Sequence, residues 1–191
     1  MDEIQQNEIA VGASAGRRAE VGATLKLSTH YVVECRDARG NLKWVDEFDN
    51  LVVTAGLTDS LDKHFKGSNY TSAWYVGLTA GTPTFDAGDT MGTHGGWTEV
   101  AAYDELVRQT LTLGTVSAGS VSNTASKAVF TIKTNTTTIG GAFVASSSAK
   151  ASDSGFNTGV LYGGGAFAAG NKVLDDNDTL TITVTLTATA A

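Results

Sequence analysis

Three histidines, one cysteine, a run of acidic residues and a handful of aromatic rings are the parts of this 191-residue chain whose types suit chemistry. His30, His64 and His94 form no H-x-H or H-x-x-x-H pair that would hand two ligands to one metal from one element. His94, in the run T-H-G-G-W beside Trp97 and Glu99, is expected to hydrogen-bond the backbone of its own loop. His64 is expected to act as a cation at a helix C-terminus. Cys35 has no second cysteine to pair with, so no intrachain disulfide holds the fold. It shares one face of a strand with Leu27, Thr29, Tyr31 and Val33, the setting of a buried inert thiol, and Arg36 beside it points to the opposite face.

The segment Asp175-Asp176-Asn177-Asp178 offers closely spaced carboxylates of the kind Ca²⁺ takes, but it lacks the glycine and the distal glutamate of an EF-hand loop. Its place between Lys172–Leu174 and the last strand predicts a solvated turn, and Asp86 and Asp89 are read the same way. Gly163-Gly164-Gly165 is followed by neither a lysine nor a helix, so it is expected as a tight bend or bulge and not as a phosphate cradle. No G-x-S-x-G elbow is present. Trp74, Tyr75, Trp97, Tyr103 and Tyr162 could contribute to a sugar-stacking platform, although Trp74 and Tyr75 lie in an apolar run that reads as core. The expectation is therefore a chain without catalytic, cofactor-binding or metal-binding residues: no cofactor, no enzyme.

The elements that would position these residues are strands. From Thr179 to Ala190 the chain reads T-L-T-I-T-V-T-L-T-A-T-A, with Leu180, Ile182, Val184 and Leu186 on one face and threonines on the other. A similar alternation runs from Thr24, stops at the turn Asp37-Ala38-Arg39-Gly40-Asn41 and resumes over Leu42 to Val45, which predicts a hairpin. Further strands are expected at Asn50–Thr54, Ala73–Thr79, about Glu105–Val116, Ala128–Thr134, Thr138–Ser146 and Gly159–Phe167. Ala73–Thr79, mostly apolar, fits a strand buried on both faces. One short helix is expected, with Thr58 as N-cap, Asp59 and Asp62 in the first turn, Lys63, His64 and Lys66 in the last, and Gly67 just beyond. Its stripe Leu57, Leu61, Phe65 should lie over an open end of the sheets. Residues 81–98, rich in Gly, Thr and Asp, form a loop long enough to be functional or packed on a partner.

Together these features give an all-β fold, a β-sandwich or jelly roll with one short helix, spanning residues 24–191 behind a flexible N-terminal arm of residues 1–23. Arg17 and Arg18 are the arm's basic residues, and the arm could order on a neighbouring subunit. A net charge of −7 disfavours a nucleic-acid partner, since phosphate contacts need clustered Lys and Arg. No apolar run approaches the ~20 residues that would span a bilayer, so no membrane is expected.

A series of short motifs carries a resemblance. N-L-K-W-V at 41–45 is followed by N-L-V-V-T-A-G-L at 50–57 and W-Y-V-G-L-T at 74–79. D-T-M-G-T-H-G-G-W-T-E at 89–99, T-I-G-G-A-F at 138–143, G-V-L-Y at 159–162 and D-T-L-T-I-T-V-T-L at 178–186 complete it. In this order the motifs resemble bacteriophage virion structural proteins of the head decoration and head-fibre type. The resemblance implies a non-enzymatic capsid decoration (cement) protein, made in the host cytoplasm, located in the virion and bound to the major capsid protein or other virion proteins. It also implies a homo-oligomer, a trimer among the options. A phage tail or fibre component contacting the host surface, and a carbohydrate-binding module, are the alternative expectations.

Overall fold

The computed structural model of the chain describes residues 25–70 and 73–190. The expected arm, residues 1–23 with Arg17 and Arg18, lies outside the described residues. In chain order the elements are β1 (Leu25–Arg36), β2 (Leu42–Asp49), β3 (Leu51–Val52), α1 (Thr54–Phe65), β4 (Tyr75–Thr79), β5 (Glu99–Val100) and β6 (Gln109–Thr110). There follow β7 (Ser120–Ser122), β8 (Ala128–Thr131), β9 (Thr137–Ile139), β10 (Gly141–Ala145), β11 (Leu161–Ala166), β12 (Lys172–Leu174) and β13 (Thr179–Ala190). The fold is all-β and sandwich-like, as the alternation predicts, with one short helix among the described residues.

The two longest strands make its axis. β1 and β13 pair antiparallel along their whole length, from Leu25 opposite Ala190 to Arg36 opposite Thr179. The first sheet runs β2-β1-β13-β7, with β8 also paired to β13, and the second runs β3-β11-β10-β4-β5, with β6 also paired to β4. A small β12-β9 pair stands beside them. Tyr31, Val33 and Cys35 of β1, Leu180, Ile182 and Val184 of β13 and Phe130 of β8 meet Val76 and Leu78 of β4 and Ala142 and Val144 of β10 in one core. The period of two in β1 and β13 is thus the inner face of a sheet whose threonine face stays half-buried.

The second sheet is buried twice. Phe143 and Ala145, pointing away from the main core, join Val53, Met91, Trp97 and Leu161 in a second cluster beneath the 81–98 loop. Burial on both faces explains why β4 and β10 read as continuous apolar runs. It also assigns the long loop a role within the chain. Met91 and Trp97 are its inward anchors, while the residues turned outward are mostly Gly, Thr and Asp.

Three expectations need correction. Gly163–Gly165 is no bend: it lies inside β11, where Gly164 admits the Phe85 and Phe143 side chains and Gly165 admits Phe48. The irregularity falls one residue earlier, where Val144 pairs with Gly163 and Ala145 with Leu161, leaving Tyr162 as the extra residue. The helix starts at Thr54, not after a Thr58 cap, and its N-cap Val53 makes no side-chain capping bond. Tertiary contacts replace the cap, because the Val53 N–H donates to the Tyr162 carbonyl at 3.1 Å and the Thr54 N–H to that of Ala87 at 2.9 Å. Lastly, α1 turns Gly56 and not its leucines toward the sheets. A Cβ at Gly56 would stand 2.8 Å from the Cα of Tyr162, so only glycine lets helix and strand approach this closely.

Candidate functional site

Most of the residues with chemical potential are occupied in holding the fold. Cys35 is fully buried, and burial pushes its thiol up to about 12. His94 Nδ1 lies 3.0 Å from the Trp97 carbonyl, which can only accept, so that nitrogen carries the proton; the His94 ring also stacks on Trp97 at 3.8 Å. His30 faces Asp49 at 2.9 Å and Glu47 at 3.8 Å on the surface. His64 sits in the last turn of α1, where cations favour the helix dipole. Among the described residues no group of three or more His, Cys, Asp or Glu is placed to hold a metal ion.

Two aspartates expected in solvated turns are interior instead. Asp89 is buried and accepts the Trp97 indole N–H at 3.1 Å and the Asp86 backbone N–H at 3.1 Å. Asp178 is buried at the end of its turn, accepting from Lys43 Nζ at 2.6 Å and from the Asp175 N–H at 2.9 Å, and this bond raises the Lys43 ammonium. Each closes a turn, and Asp89 also satisfies the buried Trp97 indole, which a charged acceptor does better than a neutral one.

The sequence reading missed the largest buried polar group. Arg108 is fully buried, with Nε and Nη2 donating to the two carboxylate oxygens of Glu99 at 2.7 and 2.8 Å. Nη1 and Nη2 also donate to the carbonyls of Ser147 and Phe156 at 2.9 and 2.8 Å, and the guanidinium stands 5.1 Å from the Phe143 ring centroid. Burial raises the Glu99 carboxyl against the pull of Arg108. Lys150 acts similarly on Tyr103, donating to its carbonyl at 3.1 Å with Nζ 4.3 Å from its ring centroid. The faint sequence signal was an arginine directly after the apolar pair Leu106-Val107.

The five aromatics do not form an exposed platform. Trp97, Tyr103 and Tyr162 are 4%, 1% and 7% exposed. Trp74 is half-buried and meets Tyr162 edge-on at 5.5 Å. Tyr75 is half-buried as well, so three of the five rings are closed to a stacking sugar and two are partly open.

What the surface does offer is apolar. At the end of the sandwich beside α1 the two sheets leave a groove of about 570 Å³, lined mainly by Leu25, Leu27, Leu57, Leu61, Phe65 and Ala188, with Ser60 and His64 as its polar members. Tyr162 forms its floor and is shared with two adjoining hollows, one toward Tyr70, Trp74 and Leu113, the other toward Val116 and Val121. Leu57, Leu61 and Phe65 are 39%, 56% and 73% exposed, so the stripe expected to cover this end instead forms one wall of it.

No family model, curated protein or solved structure matches this chain. The site is accordingly defined by its own geometry: an apolar end wall between a helix and the outer part of a two-stranded ribbon. From Leu25 to Ser28 the outer edge of β1 carries no paired strand among the described residues, since β2 joins only at His30. An unpaired edge beside an apolar groove is an arrangement that accepts an extended chain.

Proposed function

We propose that this chain is a non-enzymatic structural protein of a bacteriophage particle, a capsid decoration protein that binds the major capsid protein. The observation that carries the reading is the exposed apolar end around Tyr162, because patches of this kind on an otherwise acidic surface mark association sites. The motif order quoted above supports it, and so does the use of Arg108, Glu99, Asp89 and Asp178 as internal fasteners that leave the outer surface to binding. Net negative charge keeps free copies apart before assembly, while burial of the apolar end drives attachment and homo-oligomer formation.

Location within purified particles tests this. Gradient-purified particles should contain the protein, with antibody label spread over the whole head. Label confined to the tail would replace this reading with that of a tail or fibre component, and particles that lack the protein would end both.

A further inference from the structure

The geometry points to the occupant of the apolar groove in the free protein: the chain's own N-terminal segment, residues 1–24, docked in cis through Ile4, Ile9, Val11 and Val21. Four observations lead there. The first is place: the segment joins the described fold at Leu25, which itself lines the groove, and the next groove residue on that strand face is Leu27. In sequence, Ala23 and Val21, the alternate positions before Leu25 and Leu27, are apolar too.

The second is reach. The groove wall formed by α1 is 12 residues long, about 18 Å of helix, whereas 24 extended residues span up to about 80 Å. Gly12, Gly16 and Gly22 supply points at which such a segment can turn back. The third is tethering. A segment already fixed at the rim meets the groove at an effective concentration far above that of a separate partner, so a few isoleucine and valine contacts suffice. The fourth is the free edge of β1 over Leu25–Ser28, whose backbone groups can pair with an extended segment lying alongside.

This inference concerns the free chain and does not rest on the virion reading. Its test uses the full-length protein with Leu61→p-benzoylphenylalanine, a position already more than half exposed and outside both cores. Dilute light and heavy-isotope copies are mixed, irradiated and digested with trypsin, which cuts after Arg17 and Arg18 and after Lys26. The expected adduct joins the peptide bearing position 61 to the peptide of residues 1–17 of the same isotope, because Leu25 in the peptide 19–26 lines the groove in any case. The double variant Ile4→Asp with Ile9→Asp should lower its yield by about tenfold or more with the strand circular dichroism unchanged. Adducts confined to residues beyond 18, adducts of the peptide 1–17 that join light and heavy copies, or the absence of any adduct overturn the proposal.

Discussion

Arg108 is the side chain on which three stretches of backbone converge: its own, the Ser147–Phe156 loop and, through Glu99, the strand that follows the long loop. Arg108→Met should therefore cost about 3–5 kcal/mol in urea unfolding, because it strands the buried Glu99 carboxylate without its cation. Glu99→Leu with Arg108→Met should recover most of that loss, since the uncompensated charge goes with it. A double variant as unstable as Arg108→Met alone would mean that the guanidinium matters as packing and not as a partner. Cys35 makes a pH-dependent claim at the same scale. Its thiol is raised from 9.0 to about 12, so the folded chain favours the protonated form. That stabilisation is whole below about pH 9 and is lost as pH climbs toward 12, the unfolded chain ionising first. Between about pH 9 and 11, unfolding free energy should fall more steeply for the native chain than for Cys35→Ala, and equal slopes would refute it.

At the scale of elements, α1 gives the sharpest contrast between propensity and packing. Alanine is the better helix former by about 1 kcal/mol, yet Gly56→Ala should destabilise by about 1–3 kcal/mol, because its Cβ would meet the Tyr162 backbone, which has nowhere to move. A rise in melting temperature for Gly56→Ala would show that the helix is free to lift from β11. The same contact explains what the sequence left illegible. The start of α1 is fixed by the carbonyls of Tyr162 and Ala87, residues remote in the chain, and no local cap announces it. β1 and β13 were legible because one face is buried and the other is not, and β4 because both are. β5, β7 and β12, two or three residues each, are too short to carry a period; of the strand expected over about Glu105–Val116 only β6, Gln109–Thr110, forms, and the one expected over Thr138–Ser146 is divided at Gly140 into β9 and β10.

For the molecule as a whole, the candidate site was the least legible part. An amphipathic stripe such as Leu57, Leu61, Phe65 reads as core-facing by default, and only the placement of Gly56 against β11 turns it outward. Asp89 and Asp178 went unseen for a related reason, since their donors, Trp97 and Lys43, come from elsewhere in the fold. The long pairing of β1 with β13 has a consequence for how the protein is made. β1 leaves the ribosome well before β13, so its hydrogen bonds on that side go unclaimed while residues 37–178 are synthesised. The nascent chain must then keep Tyr31, Val33 and Cys35 out of other company until Thr179–Ala190 emerges to close the sheet over them.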